Sequence, residues 1–216
     1  MLHNSQEMRV IAGTAKGRKL KAPPGLSTRP MMDRLKVSLF DTLVPYGVAG
    51  ARVLDLYAGS GSLGIEMLSR GAEWADFVEQ NLAVCGIIRD NLRTTGLAGR
   101  AHVYKMFVAR FITMMSNAIQ SGAPIPGESK LDTAREYDII LLDPPYADAE
   151  ISSTLKDIAQ SPLLASNGLL VIGHATRVKL AGEYGDSRLH RIRYREMGGS
   201  AFSIYERVPD LEVGSE

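Results

Sequence analysis

Four residues at the end of an apolar stretch are the ones best suited to do chemistry. Residues 137–142 predict a buried strand, and Asp143, Pro144, Pro145 and Tyr146 follow it directly. Both prolines lack an N–H and have a fixed φ, so neither continues a sheet ladder, and the Pro144 carbonyl is left to accept a hydrogen bond from a ligand. A carboxylate, a rigid carbonyl and an aromatic ring suit a pocket for a planar base that carries an amine.

The amine of such a base is a poor nucleophile because its lone pair is delocalised into the ring. If Asp143 and the Pro144 carbonyl accept its two hydrogens, the nitrogen can pyramidalise and offer the lone pair to a methyl group held in line. Stacking on Tyr146 would contribute about 1–3 kcal/mol, and no metal is required. We therefore predict that the tetrad, Pro145 included, forms the catalytic site. The alternative is structural: Asp143 caps the next helix and the prolines only end the strand.

A second polar motif follows another apolar stretch, at 52–56. There the strand runs into a glycine turn and then a helix. Gly59 and Gly61 permit the tight turn and let a ligand approach the backbone, while Gly64 lets the helix pack closely on the strand. The same spacing satisfies the dinucleotide fingerprint, so the glycines alone do not choose a cofactor. A structural turn without a ligand is the remaining alternative.

Asp55 favours a cationic cofactor. A carboxylate four residues before Gly59 would place negative charge where NAD has its pyrophosphate, whereas S-adenosylmethionine carries an ammonium and a sulfonium and no phosphate. Glu79, at the end of the next strand, can accept two ribose hydroxyls from either cofactor. The predicted cofactor-binding residues are Asp55, Tyr57, Ala58, Gly59, Ser60, Gly61 and Glu79.

Alternating strands and helices must position these motifs, so the predicted fold class is α/β with a mostly parallel, Rossmann-like sheet. Continuous apolar runs predict parallel strands at 52–56, 75–79, 102–105, 137–142 and 169–173. Helical patterns lie between them at 62–70, 82–95, 108–120 and 150–160. Met-Gly-Gly-Ser predicts an antiparallel hairpin of strands 189–196 and 201–207 at one edge. Residues 121–135 read as a loop.

The first 36 residues are strongly basic. Eight lysines and arginines stand against two acidic residues there, a charge of +6, so the other 180 residues carry −5 of the net +1. A basic arm on a mildly acidic body is typical of a protein that binds a polyanion with one face, and a solvated surface segment is the alternative. A second basic stretch, 188–195, alternates with apolar residues and reads first as the solvent-facing side of a strand.

Within this arm, residues 8–22 predict an antiparallel hairpin that turns near Lys16-Gly17. Asp33 is the predicted N-cap of an amphipathic helix that ends before Pro45. The extension is therefore a small β-hairpin and helix ahead of the main domain.

The composition describes one globular domain with this small appendage. The 216 residues are 45% apolar, which is enough for a hydrophobic core. No apolar run approaches the length of about 18 residues that a membrane span needs, and residues 1–7 lack the apolar region of a signal peptide, so we expect a cytoplasmic protein. Cys85 is the single cysteine and lies at a core-like helical position, which favours a buried structural thiol.

Taken together, these motifs resemble a known family. Asp55-Leu-Tyr-Ala-Gly-Ser-Gly61, Glu79 and the Asp143 tetrad are similar to class I S-adenosylmethionine-dependent methyltransferases that modify exocyclic amines. The arm narrows the likeness. Its segments Arg9-Val-Ile-Ala-Gly13, Gly17-Arg-Lys-Leu20 and Thr28-Arg-Pro-x-x-Asp-Arg34 resemble the bacterial 16S ribosomal RNA guanine-N2 methyltransferase family, and the likeness spans the whole chain.

The resemblance implies methyl transfer from S-adenosylmethionine to a guanine N2 of 16S rRNA, presented within the 30S subunit or an assembly intermediate, by a monomer with no membrane partner. It divides the chain into an RNA-facing hairpin and helix, 1–45, and a methyltransferase domain, 46–216. The predicted RNA-binding residues are Arg9, Lys16, Arg18, Lys19, Arg29, Arg34 and Lys36.

The chain departs from the family pattern at several positions. An Asp or Asn usually holds the cofactor's adenine after the third strand, but Lys105-Met-Phe107 stands there, so main chain is expected to replace that contact. Met31 and Val37 replace a Thr and an acidic residue in the arm, and Gly173 replaces a frequent Glu after the fifth strand.

Other functions stay open at this point. An NAD-linked oxidoreductase needs a catalytic histidine or a Tyr-Lys pair, and none of the four histidines has such a setting. A non-catalytic RNA-binding protein would not need the tetrad intact. The nearest alternative is an adenine-N6 or other nucleobase-amine methyltransferase acting on DNA or RNA, although DNA enzymes generally need a target-recognition domain to extrude the base.

Overall fold

An eight-stranded sheet with helices on both faces forms the protein. The computed structural model describes residues 8–23, 30–123, 136–144 and 148–209, and within helices it leaves the side chains of 30–33 and 148–150 undescribed. The strands are β1 Arg52–Leu56, β2 Trp74–Glu79, β3 Ala101–Lys105, β4 Tyr137–Leu142, β5 Leu164–Ala175, β6 Glu183–Tyr184, β7 Leu189–Met197 and β8 Ser200–Arg207. The helices are α1 Pro30–Leu43, α2 Ser62–Ser69, α3 Leu82–Thr95, α4 Val108–Ser121 and α5 Asp148–Gln160.

The sheet order is β3-β2-β1-β4-β5-β8-β7-β6. Strands β1 to β5 are parallel, whereas β8 pairs antiparallel with both β5 and β7. Strands that carry apolar residues on both faces need a covering layer on each side, which the helices provide. The predicted α/β fold is confirmed, and β4 lies beside β1, so the two polar motifs reach the same edge of the sheet.

Two apolar cores lie on opposite faces of the sheet. One contains Phe77 and Phe202 and is closed by α1, α2 and α3; the other contains Phe111 and Tyr205 and is closed by α4 and α5. Helix α1 belongs to the first core because Leu35, Leu39, Phe40 and Leu43 are buried in it, each at 7% exposure or less. The helix of the basic extension is thus packed on the same core as the main domain.

One prediction for the extension is wrong, and a second is confirmed in a shorter form. Helix α1 begins at Pro30, so Asp33 lies inside the helix and is not its N-cap. A proline suits the first helical position, where its missing N–H costs nothing. The predicted antiparallel hairpin at 8–22 is present in a short form. Arg9 bridges Lys19, and backbone hydrogen bonds run from the Val10 N–H to the Arg18 carbonyl and from the Leu20 N–H to the Met8 carbonyl, at 3.0 and 2.8 Å. The residues between the two short strands bond to α2 instead.

Two further differences concern the sheet. Strand β5 begins at Leu164, five residues before the predicted start at 169, and the short strand β6 was not predicted. The predicted loop at 121–135 falls largely outside the described residues. Cys85 is buried, as expected.

Residues 8–23, which we call the docked arm, pack on α2 and α3 through backbone hydrogen bonds. The N–H groups of Ile11 and Ala12 donate to the two carboxylate oxygens of Glu66, at 2.7 and 2.9 Å. On α3, Asn91 accepts from the Lys21 N–H at 2.8 Å and donates to the Lys21 carbonyl at 2.9 Å. Buried polar groups need such partners, so these contacts hold the arm in one place.

Within the described parts of the chain, no helix combines the length and the apolar character that a membrane crossing requires.

Candidate active site

The two predicted motifs meet at the carboxyl ends of β1, β2, β4 and β5, on the face that α1, α2 and α3 cover. Residues Leu56 and Leu142 are partners in the β1–β4 ladder, and Leu142 and Ile172 are partners in the β4–β5 ladder. Asp143 therefore leaves the sheet between the glycine turn and Gly173. Ligands of open parallel sheets bind at this edge, where strands diverge into loops.

The glycine turn is shaped by close packing. Gly59 and Gly61 have φ of 53° and 75°, in the left-handed region that favours glycine. A Cβ on Gly64 would lie 2.5 Å from the Phe77 ring and 3.1 Å from the Asp55 carboxylate, so only glycine lets α2 approach β1 and β2 this closely. By contrast, the nearest described atom to a Cβ on Gly59 would be the Tyr57 carbonyl oxygen at 3.9 Å, which leaves room at the turn for a ligand.

Asp55 is buried and holds the turn from inside. It is 1% exposed, and its Oδ2 accepts a hydrogen bond from the Gly64 N–H at 2.9 Å. Burial raises the pKa of Asp55 to about 8, with the Gly64 bond and the charge of Lys36 acting in the opposite direction and the charges of Asp143 and Glu79 adding to the rise. A carboxyl with such a pKa is stabilised in its charged form by any cation that enters the site.

Glu79 fixes the other side of the turn. Its Oε2 accepts from the Gly59 N–H at 3.2 Å and its Oε1 accepts from the Asn81 N–H at 2.8 Å. Each carboxylate oxygen has a second lone pair, and the residue is half-buried, so hydroxyl donors from a ligand can still reach it. These two backbone N–H groups therefore hold the Glu79 carboxylate beside the glycine turn.

The remaining predicted cofactor residues line the same turn. Tyr57 has a φ of 57° and places its hydroxyl 3.1 Å from Thr154 Oγ1 on α5. Ala58 is buried and donates its N–H to Val78 at 3.1 Å. The Ser60 carbonyl accepts from Asn91 Nδ2 at 2.9 Å, so α3 ties the turn to the docked arm.

Two exposed apolar side chains follow the ends of β2 and β3. Leu82 at the start of α3 is 67% exposed, and Phe107 just before α4 is 68% exposed. They are the two most exposed large apolar side chains in the described part of the chain, and the strands they follow are neighbours, with Glu79 paired to Lys105. A planar, partly apolar group bound beside Glu79 would cover them. The residues present therefore fit a nucleoside, although no carboxylate or amide stands at 107.

Asp143 is exposed and its carboxylate lies against the end of β5. A Cβ on Gly173 would be 2.9 Å from Asp143 Oδ1, so a larger residue at 173 would displace this carboxylate. Desolvation by surrounding protein raises the pKa of Asp143, and the charge of Lys36 lowers it. Pro144 is half-buried beside it. Pro145 and Tyr146 lie outside the described residues.

Lys36 is the cation that α1 brings to the two carboxylates. It is half-buried, and its Nζ donates to the Ser62 carbonyl at the start of α2, at 3.0 Å. Its charge acts on both Asp55 and Asp143. The sequence prediction assigned Lys36 to RNA with the other basic residues; its position beside the glycine turn could not be read from charge alone.

The other predicted RNA-binding residues are exposed. Arg9, Lys16, Arg18 and Lys19 project from the docked arm, and Arg34 projects from α1. Arg29 lies outside the described residues. The arm is held next to the glycine turn, with Met8 Sδ 3.2 Å from Ser60 Oγ.

Sequence reasoning missed Glu66 and Asn91, which hold the arm. Glu66 is fully buried and also accepts from Arg70 Nε at 2.8 Å, while the Arg70 guanidinium lies 4.9 Å from the centre of the Phe40 ring on α1. A glutamate within the otherwise apolar Leu-Gly-Ile-Glu-Met-Leu of α2 was the available signal, because a charge at a core position needs a partner. Asn91 offered no comparable signal.

Comparison with known proteins gives the family. The family model described as "Conserved hypothetical protein 95" matches residues 8–206. "Putative rRNA methyltransferase YlbH" of Bacillus subtilis is 38% identical over 200 residues, covering 93% of this chain and 99% of the relative. "Ribosomal RNA small subunit methyltransferase D" of Escherichia coli K12 is 30% identical over 212 residues, covering 98% and 96%.

A solved structure agrees over nearly the full length. "Putative methyltransferase yhhF from Escherichia coli" superposes with a TM-score of 0.75 at 28% identity, covering 94% of this chain and 98% of the other. Sequence and fold thus match the same group of enzymes from end to end. The chain belongs to the conserved hypothetical protein 95 family, the family of ribosomal RNA small subunit methyltransferase D, and it has the class I fold of S-adenosylmethionine-dependent methyltransferases.

Proposed function

We propose that this protein transfers a methyl group from S-adenosylmethionine to the exocyclic N2 amine of a guanine in 16S ribosomal RNA. The observation that carries the proposal is the meeting of Asp143 with the Asp55–Gly64 turn at one edge of the sheet, with Lys36 acting on both carboxylates. Relatives named as small-subunit rRNA methyltransferases support the substrate class.

The cofactor is held by the turn and by Glu79. When bound, S-adenosylmethionine supplies an electrophilic methyl group on a positively charged sulfur. Asp55, with its pKa raised to about 8 by burial, becomes ionised when a cation approaches, and Glu79 accepts the ribose hydroxyls. Ser60 and Gly61 form the wall of the turn, and Phe107 and Leu82 supply apolar cover for the adenine.

The acceptor amine is oriented by Asp143 and Pro144. Asp143 in its ionised form accepts one N–H of the guanine amine, and the Pro144 carbonyl accepts the other, so that the nitrogen lone pair is directed at the methyl group. Tyr146 stacks on the base in this proposal. The positive charge that develops on the amine in the transition state is stabilised by the two acceptors, and Asp143 or water takes the released proton.

The substrate-facing surface includes the docked arm and α1. The predicted contacts of Arg9, Lys16, Arg18, Lys19 and Arg34 with phosphate are supported by their exposure. We extend the proposal to a cytoplasmic monomer that acts on the 30S subunit or an assembly intermediate. The division into an RNA-facing part, 1–45, and a methyltransferase domain, 46–216, stays part of this proposal.

The test is transfer of tritiated methyl groups to 16S rRNA from cells that lack this gene, followed by nucleoside analysis. We expect N2-methylguanosine at one position, and three parallel substrates, naked RNA, assembly intermediates and 30S subunits, identify the form that is recognised. Appearance of N6-methyladenosine would contradict the proposal and support the adenine alternative. Equal labelling of duplex DNA would contradict the RNA specificity.

A further inference from the structure

Strand β7 carries exposed arginines on the face of the sheet that also holds the proposed acceptor site. Arg193 pairs with Ile204 and Arg195 pairs with Phe202 on β8. Because directly paired residues point to the same face of a sheet, both arginines lie on the side of the first core, where Phe202 and Ile204 are buried. This is also the side on which Gly173 contacts Asp143.

One row of residues crosses the sheet from Asp143 to these arginines. Gly173, whose Cβ position is 2.9 Å from Asp143 Oδ1, pairs with Phe202, which in turn pairs with Arg195. Neighbouring strands are about 4.8 Å apart, so three strand steps separate Asp143 from Arg195 by about 14 Å. This distance corresponds to a few nucleotides of RNA, so a guanidinium on β7 can reach a phosphate close to a base bound at Asp143.

Helix α1 orients Arg195. Arg195 Nη1 donates to Ser38 Oγ at 3.0 Å, across the groove between α1 and β7. This groove has a volume of about 430 Å³, with Arg34 and Arg195 in its walls and Asp41 as the acidic residue among them. Within the described part of the chain, neither Arg193 nor Arg195 is within 4.0 Å of a carboxylate, so their charge is not compensated by a salt bridge.

We propose that Arg34, Arg193 and Arg195 form a second RNA-binding surface, which binds the backbone phosphates of the nucleotides that flank the target guanine. Guanidinium groups form bidentate hydrogen bonds with phosphate and are weakly hydrated, which suits them to binding an RNA backbone. The inference rests on the proposed function and adds a surface that is separate in sequence from the docked arm. It reassigns a stretch that the sequence alone presented as the solvent-facing side of a strand.

The surface lies on the opposite side of the proposed acceptor site from the cofactor turn. Strand β1, with the turn, is on one side of β4, whereas β5, β8 and β7 follow on the other. RNA held at β7 would therefore enter from the side that the cofactor leaves open. The docked arm packs on α2 and α3 beside the turn, so the two basic surfaces would hold RNA on either side of the target base.

The test compares R193A/R195A with Lys156→Glu, which changes the net charge by the same two units. Lys156 is exposed on α5, on the other face of the sheet. Binding of a transcribed 16S rRNA fragment is measured from 50 to 300 mM KCl. Each phosphate contact contributes about 0.7 to the slope of log affinity against log salt for single strands, so the double variant should lose about 1.4 from the slope and the control nothing.

Steady-state kinetics provide the second measurement. We expect the KM for RNA to rise at least 10-fold in the double variant, with kcat at saturating RNA and the calorimetric Kd for S-adenosylmethionine unchanged, since neither arginine touches the cofactor site. The retained Kd also shows that the variant is folded. Arg193→Lys combined with Arg195→Lys should keep the slope and recover part of the KM.

An unchanged slope in R193A/R195A would overturn this surface and leave its arginines as solvated charges of an outer strand. An equal loss in the Lys156→Glu control would overturn it too, because the effect would then be one of net charge. A wild-type protein that binds RNA and transfers no methyl group would contradict the proposed function instead, while the slopes would still decide the role of the arginines.

Discussion

The ends of β1 and β4 carry one carboxylate each, and the two sites are built differently. Asp55 is closed off from solvent and bonded to the Gly64 N–H, inside a turn where added atoms on Gly64 would clash. Asp143 is exposed and lies against Gly173, a glycine near the end of β5. Desolvation by surrounding protein raises the pKa of both groups, and in Asp55 the Gly64 N–H opposes the rise.

The site at the end of β1 is closed by close packing, whereas the site at the end of β4 is open to solvent. In the proposed function, the β1 end keeps one loop geometry for the cofactor. The β4 end admits a base that is attached to a large RNA, which a closed pocket could not do. Lys36 links the two, because its charge lowers the pKa of each carboxyl from a single position on α1.

The largest expected effect is on methyl transfer in Asp143→Asn. An amide keeps the shape of the side chain but loses the charge, so it no longer stabilises the positive charge that develops on the acceptor amine. We expect kcat to fall by about 10²- to 10³-fold, the size found when one preorganised polar contact to a transition state is removed. Tritium transfer measures this loss. Calorimetry should show S-adenosylmethionine affinity within about twofold of wild type, and a weakened affinity would place Asp143 in the cofactor site.

A smaller effect, on stability, is expected for Asp55→Asn. The pKa of Asp55 is 3.8 in the unfolded chain and about 8 in the folded one, so the native state binds more protons between these values. Stability that is present below pH 3.8 is therefore lost as the pH rises towards 8, at about 1.4 kcal/mol per pH unit.

Urea unfolding at pH 5, 6 and 7 without cofactor measures the free energy of unfolding of wild type and Asp55→Asn. The difference between the two should move in favour of the variant by that amount per unit, since contributions from other groups cancel. A difference that does not change with pH would show that Asp55 is ionised in the folded protein. The packed turn would then not desolvate its carboxylate, and the contrast between a closed β1 site and an open β4 site would be lost.

The smallest expected effect is a displacement of the pH profile in Lys36→Met. Lys36 lowers the pKa of Asp143, so its removal raises that pKa and moves the acid limb of kcat/KM to higher pH. Lys36→Arg keeps the charge and should keep the profile. A loss of activity at all pH values without a moved limb would mean that Lys36 only supports the Ser62 carbonyl.

Elements with local signals could be predicted from the sequence. Strands β1 and β4 match their predicted limits because their residues are continuously apolar. Helix α3 begins after Asn81, whose side chain accepts from two backbone N–H groups, and ends at Gly96 with a φ of 75°. These capping features lie in adjacent residues and need no tertiary information.

Features that depend on distant partners could not be predicted. Asp55 was expected to face a cation, and its bond to Gly64 depends on how α2 packs on β1. The direction of Lys36 depends on how α1 lies on the sheet. The arginines of β7 needed the order of the strands, because only the ladder through β8 and β5 relates them to Asp143.

The docked arm is attached through main-chain groups. The Glu66 carboxylate accepts hydrogen bonds from the N–H groups of Ile11 and Ala12. The Asn91 side chain accepts from the Lys21 N–H and donates to the Lys21 carbonyl. Every residue except proline presents that same N–H, so the anchor does not depend on which side chains the arm carries outward. Outward-facing residues such as Arg18 and Lys19 can therefore change during evolution while the attachment to the enzyme persists, so the proposed RNA contacts can vary on a constant anchor.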